Sequence, residues 1–157
     1  MQKIISALEL KIPPAVFVII LAIVMWSISG KVPSLSFSFP GQFVVVVILT
    51  TAGILITLTS AVAFYRAQTT VDPTRPEKSS ALVTSGIYRV SRNPIYVSFL
   101  LILIAWAIYV ANFLAFVALP VFVAYMNRFQ IIPEERVLRA KFGSTFIQYE
   151  QSVRRWL

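Results

Sequence analysis

The sequence predicts an all-α, polytopic membrane protein with four transmembrane helices, the last two paired as a tight hairpin, and a short cytoplasmic helix near the C-terminus. Three observations lead there. Apolar residues make up 58% of the 157 residues and charged residues only 13%, against about 25% charged in a typical soluble domain. So much apolar surface needs lipid to cover it. Three intervals, Ile12 to Gly30, Val32 to Tyr65 and Asn93 to Asn127, hold no charged side chain. When these intervals are folded as spans, almost every basic residue falls on one side.

The first interval supplies one helix, from about Pro14 to Ser29, since about 20 residues at ~1.5 Å rise cross a hydrocarbon core of ~30 Å. Its apolar stretch is too long for the core of a cleavable leader, and no small-residue cleavage pattern precedes Lys31. The second interval opens on Pro33, a serine- and phenylalanine-rich run and Pro40-Gly41, turn chemistry that delays its helix to about Gln42. This helix carries Thr50, Thr51, Gly53, Thr57, Thr59 and Ser60, small residues that let helices approach closely in lipid. Their hydroxyls can bond back to the carbonyl four residues earlier; lining a polar cavity is the alternative. Ala67 to Ser80, with Asp72-Pro73 and Arg75-Pro76, has no periodicity and reads as a cytoplasmic loop.

The third interval, at ~52 Å if continuous, is too long for one span. Ala111-Asn112 near its middle is the turn. Pro120 then falls inside the fourth helix, where it should free the Phe116 carbonyl and kink the axis. Pro133 at a first helical position, Glu134 and Glu135 in the first turn, Arg139 and Lys141 near the end and Gly143 as terminator predict a separate surface helix. Val137, Leu138 and Phe142 share a face that would dock on the membrane or the loop, and Phe146, Tyr149 and Trp156 suit the headgroup level.

With four spans, thirteen cations lie on one side and only Lys31 on the other. The positive-inside rule assigns the crowded side, with both termini, to the cytoplasm. Anionic headgroups suffice to explain the net charge of +8, with no nucleic-acid partner. The chain has no cysteine and no histidine, which removes disulfides, thiolate nucleophiles, Cys/His metal sites and imidazole bases; no metal is expected. No span carries an ionisable group of the kind a transporter uses.

Two polar blocks flank the long uncharged interval, and a hairpin would return both to one face. The first runs from Leu82 and Val83 through Gly86, Tyr88, Arg89, Arg92, Asn93 and Pro94 to Tyr96; the second runs from Arg128 through Glu134-Glu135 to Tyr149. Gly86 permits a tight turn, and Pro94 starts a helix after an extended Asn93. Arg89 and Arg92 flank that helix start, where backbone N–H groups already favour anions. Tyr88 and Tyr96 can stack on a purine or face a cation, and the paired carboxylates can accept from ribose hydroxyls or an ammonium group. These are complements to a zwitterionic, nucleoside-bearing ligand. Taken singly, the arginines also fit as lipid anchors, the tyrosines as belt residues and the carboxylates as a helix N-terminal preference.

Together, Leu82-Val83-x-x-Gly86-x-Tyr88-x-x-x-Arg92-Asn93-Pro94-x-Tyr96 resembles the cofactor-binding segment of the isoprenylcysteine carboxyl methyltransferase family. Glu134-Glu135-x-x-Leu138-x-x-x-Phe142-Gly143-x-x-Phe146-x-x-Tyr149, closing on Val153-Arg154-Arg155-Trp156, is similar to its second signature. The resemblance covers about Arg66 to Leu157 and extends to the membrane phospholipid methyltransferases. It implies an integral-membrane methyltransferase that uses S-adenosylmethionine without a Rossmann domain, and no G-x-G-x-x-G follows any strand pattern here. By resemblance, Leu82, Val83, Gly86, Tyr88, Arg92, Asn93, Pro94, Tyr96, Glu134, Glu135 and Tyr149 hold the cofactor. Glu134 also serves catalysis, and Arg128 orients an anionic substrate group.

Many eukaryotic members carry histidine where this chain has Asn93, which cannot titrate near neutrality. The expected acceptor is a lipophilic small molecule or lipid, first a carboxylate of the isoprenylcysteine kind. Phospholipid headgroup N-methylation is the alternative, and a non-enzymatic membrane scaffold the third reading. Residues 1–157 are read as one membrane domain, 1–65 as scaffold and 66–157 as the catalytic part, in a bacterial or archaeal inner membrane.

Overall fold

The computed structural model describes residues 9–70 and 75–157; the expectations that fall on Lys3 and on the Asp72-Pro73 turn lie outside them. The described residues are helical, with no strand and one isolated antiparallel bridge between Ser36 and Asn112. The α-helices are α1 (Pro14–Lys31), α2 (Gln42–Arg66), α3 (Pro94–Tyr109), α4 (Ala118–Tyr125), α5 (Ile132–Phe142) and α6 (Ser144–Ser152). Among the described residues, three helical rods are long and apolar enough to cross a membrane: α1, α2 and the continuous Phe113–Phe142. The 16 residues of α3 form a shorter apolar helix. Large apolar side chains along α1 and α2, among them Ile19, Ile23, Phe43, Ile48 and Leu58, point outward, as lipid-covered helices require.

Proline and glycine set the starts. Pro14 and Pro94 occupy first helical positions, where their missing N–H costs nothing, and Gly41 at φ 81° turns the chain into α2. The turn after α3 falls where the sequence places it. Ala111 takes φ 53°, and the buried Asn112 side chain fixes the corner, accepting from the Leu114 N–H at 3.0 Å and donating to the Val32 carbonyl at 2.8 Å.

The central element is α3, with α1 and α2 packed on it. Gly53 of α2 brings the helix backbone against Ser98 and Ile102 of α3, and Thr57 shares a 2.7 Å hydrogen bond with Ser98. Thr57, Thr59 and Ser60 also bond to carbonyls one turn back, at 3.1, 2.9 and 2.7 Å. The small residues of this helix thus serve packing. On the other flank the Trp106 indole donates to the Ala22 carbonyl at 2.9 Å, above a core of Leu21, Met25, Leu103, Phe122, Met126 and Ile131.

Pro120 lies inside the continuous rod, in the first turn of α4 where the 3-10 turn at Phe113–Val117 gives way to α-helix. One expectation is corrected: the segment after Pro133 is not a separate surface helix. A π-helical turn, Met126–Ile131, joins α4 to α5 without a break. Pro133 has no N–H for the Phe129 carbonyl four residues back. That carbonyl instead accepts from the Leu10 N–H at 3.0 Å, so the orphaned acceptor is satisfied from the N-terminal segment and the helix continues.

Candidate active site

The first polar block is a chain of short turns laid over the basic end of the bundle. Gly86 at φ +62° opens a 3-10 turn, Gly86–Arg89, which drives the Tyr88 side chain inward. There the ring meets Phe64 of α2 edge to face, centroids 5.5 Å apart. Burial, reinforced by the nearby Glu134 charge, pushes the Tyr88 phenol well above its usual range. Burial raises Tyr149 as well, although the Arg92 charge opposes it. Both phenols therefore remain protonated, and the Tyr149 hydroxyl donates to the Tyr88 carbonyl at 2.7 Å.

The second block meets the first through carboxylates and through the last residues of the chain. The Arg92 N–H donates to the Arg154 carbonyl at 2.9 Å. The Asn93 amide donates to the Arg155 carbonyl at 2.9 Å, and the Trp156 indole donates to Asn127 at 3.0 Å. Glu135 accepts from Arg155 at 3.0 and 2.7 Å and from Arg92 at 2.9 Å. This hydrogen-bonded partnership with Glu135 holds the Arg155 guanidinium above its ordinary pKa. Glu134, one residue before, accepts from the Tyr96 hydroxyl at 3.0 Å, and among the described residues no cation pairs with it. Arg92 is the converse case. It is 10% exposed, and its Nε–H is buried without an acceptor.

Two adjoining cavities open between these groups. One, about 60 Å³, is walled by Leu82, Val83, Tyr88, Leu138, Phe146 and Tyr149. The other, about 330 Å³, continues past Tyr96 to Ile95, Phe99 and the Pro13–Ala15 entry of α1. Phe64, Ser79, Tyr88, Arg92, Asn93 and Glu134 line both. Small-molecule sites typically fall at ~300–1,000 Å³, mostly apolar with a few convergent polar groups. The second cavity fits that description, with a polar end and an apolar end, and the first is a small recess beside it.

Nine of the eleven residues expected to hold the cofactor therefore line the cavities. Gly86 shapes the loop from an exposed position, and Pro94 is buried under it at the start of α3. Arg128 is elsewhere: its guanidinium pairs with Glu9 at 2.7 Å and lines neither cavity. Sequence reasoning assigned no role to Phe64 or Ser79, and nothing marks one phenylalanine in an apolar helix or one serine in a loop. It also left Arg155 among the basic residues of a terminus. Its clue was the neighbouring signature, Val153-Arg154-Arg155-Trp156.

The family profile described as phospholipid methyltransferase matches residues 41–145, about two thirds of the chain. Over 62 residues the chain is 47% identical to an uncharacterized protein of Haemophilus influenzae, covering 40% of this chain and 98% of that one. Over 101 residues it is 29% identical to protein-S-isoprenylcysteine O-methyltransferase B of Arabidopsis thaliana, covering 64% of this chain and 51% of the plant protein. The chain thus spans about half the length of that plant enzyme. No solved structure matches.

Proposed function

The chain belongs to the phospholipid methyltransferase family, and from that premise we propose that it is an S-adenosylmethionine-dependent methyltransferase acting on a lipophilic acceptor in the membrane. The observation that carries the reading is a guanidinium and a carboxylate lining the same cavities, each with hydrogen-bonding capacity left over. Arg92 has a buried N–H without an acceptor, and Glu134 has no cation among the described residues. The rings of Phe64, Tyr88 and Tyr96 lie beside them. Arg92 suits the carboxylate of the cofactor's amino-acid end, Glu134 its ammonium, and the rings its adenine and sulfonium. When bound, the cofactor supplies a methyl group on a sulfonium, a good leaving group that an acceptor displaces in line.

The residues of the chain then have three tasks. Leu82, Val83, Tyr88 and Tyr149 wall the smaller recess, which takes part of the cofactor, and Asn93 and Pro94 fix where α3 begins. The larger cavity admits the acceptor, its apolar end between α3 and the start of α1 taking the tail. Enclosure by Phe64, Tyr96 and Phe99 excludes water, and alignment of the reacting atoms supplies most of the rate. A carboxylate of the isoprenylcysteine kind needs no protein base. Phospholipid headgroup N-methylation is the second reading, and Glu134 favours it: an unpaired carboxylate at the polar end attracts an amine and can accept its proton.

The proposal extends to topology. All four apolar helices span, α3 with the rod that follows it as a hairpin, and residues 1–157 form one unit. Phe64 and Pro13–Ala15 bring the scaffold part into the site. Both termini and the site face the cytoplasm of a bacterial or archaeal inner membrane.

The test is calorimetric binding of S-adenosylmethionine or S-adenosylhomocysteine to purified protein in detergent. Saturable binding is expected, weakened more by Arg92→Ala or Glu134→Ala than by Arg75→Ala or Lys78→Ala. Absence of binding at millimolar ligand refutes the enzyme reading and leaves the scaffold. Labelled methyl transfer to a prenylcysteine analogue, a phosphatidylethanolamine or a simple thiol then identifies the acceptor.

A further inference from the structure

Five side chains form one connected ion-pair network beside the cavities: Arg92, Glu135, Arg139, Glu150 and Arg155. Glu135 takes Arg155 through two hydrogen bonds and Arg92 through one. Glu150 takes Arg139 at 2.8 to 3.1 Å and Arg92 more loosely at 3.6 Å. Three guanidiniums thus meet two carboxylates, and one positive charge is left over. Arg139 and Arg155 each grip a carboxylate through two nitrogens and are partly solvated, at 50% and 37% exposure. Arg92 meets its partners through single contacts, and its inner N–H has no acceptor. Of the three arginines, Arg92 alone lines the cavities, and it is the one with a donor to spare.

Arg155 touches neither cavity. It is delivered by the Val153–Trp156 segment, which is pinned by its own carbonyls to Arg92, Asn93 and Ser91. We infer, resting on the cofactor reading above, that Arg155 is a positioning residue for the cofactor's carboxylate: by taking both oxygens of Glu135 it spares Arg92, which holds Glu135 by a single hydrogen bond, to take an anion as well. Without Arg155 the network is neutral and Glu135, 9% exposed, has only Arg92. In so dry a setting a carboxylate draws strongly on its one remaining cation.

The test separates charge balance from simple bracing. S-adenosylhomocysteine and 5′-deoxy-5′-methylthioadenosine, which lacks the amino-acid end, are titrated into wild-type protein, Arg155→Gln, Arg155→Lys and the double variant Arg155→Gln/Glu135→Gln. Arg154→Ala, whose side chain is exposed, serves as control. Arg155→Gln is expected to weaken S-adenosylhomocysteine roughly tenfold and to leave methylthioadenosine within about twofold. Arg155→Lys keeps the charge and should retain most of the affinity. The double variant restores the surplus charge and should bind S-adenosylhomocysteine more tightly than Arg155→Gln does.

Equal losses for both ligands, or a double variant weaker than Arg155→Gln, would overturn the inference and leave Arg155 a brace. If Arg155→Gln does not fold, a tenfold loss in Arg155→Lys, with its charge intact, overturns it alone. Failure of wild-type protein to bind either ligand refutes the cofactor reading itself, a different result from any of these.

Discussion

Gly53 offers the sharpest test of how the bundle supports the site. A Cβ placed there would lie 2.9 Å from Ile102 Cγ1, 3.1 Å from the Ser98 carbonyl oxygen and 3.4 Å from Ile102 Cδ1. The first and third neighbours end a side chain that can shift, but the second is backbone and must yield by a few tenths of an ångström. For Gly53→Ala, a propensity gain of about 1 kcal/mol in a helix interior opposes a clash of similar size, and the net change should stay within ~1 kcal/mol. For Gly53→Leu, three further carbons enter a filled contact, at about 1–3 kcal/mol for overpacking. Separation also breaks the Thr57–Ser98 bond, worth roughly 0.6 kcal/mol on average for such pairs in membranes.

The total for Gly53→Leu is about 2–4 kcal/mol. Eleven residues, or ~16 Å, further along α2 lies Phe64, so the same displacement should draw its ring away from Tyr88. Equilibrium unfolding by added sodium dodecyl sulfate in mixed micelles measures the stability, and S-adenosylhomocysteine titration reads the site. A Gly53→Leu protein within 1 kcal/mol of wild type, or an alanine variant as damaged as the leucine one, would refute the close-approach reasoning.

Two further expectations concern residues of the polar blocks. Asn93→His can still donate one hydrogen bond to the Arg155 carbonyl, whereas Asn93→Leu cannot. The histidine variant should therefore bind S-adenosylhomocysteine within about threefold of wild type and the leucine variant at least tenfold more weakly, and the reverse order would refute an anchoring role for Asn93. Arg128→Ala removes an ion pair whose arginine is 42% exposed, so unfolding in micelles should report a loss of no more than about 1 kcal/mol. Its S-adenosylhomocysteine affinity should stay within twofold, and a loss as large as that of Glu134→Ala would place Arg128 at the site after all.

What could be read from the sequence was whatever is encoded locally. Uncharged intervals bounded by lysine and arginine marked the apolar helices, Pro40-Gly41 and Ala111-Asn112 marked the turns, and Leu82 to Tyr96 carried Tyr88, Arg92, Asn93 and Tyr96, which line the cavities. The illegible parts depend on partners far along the chain. Asn127 to Ile131 contains no helix breaker, and its π-helical form accompanies the Leu10 N–H that caps the carbonyl Pro133 leaves free. Arg128 reads as a site cation until Glu9 is seen to hold it. Phe64 is one of twelve phenylalanines, distinguished only by the tyrosine it meets.

The π-helical turn at Met126–Ile131 makes the aim of Glu134 and Glu135 depend on a count of residues. Each residue of an α-helix turns the chain by about 100°, and the wider turn accommodates one residue more than an α-helical one. Losing a single residue there, with ideal geometry restored, would swing both carboxylates by that angle while leaving every member of the motif in the gene. Register at this point is therefore heritable separately from composition. A relative could keep the whole signature and, one codon shorter, aim it at lipid.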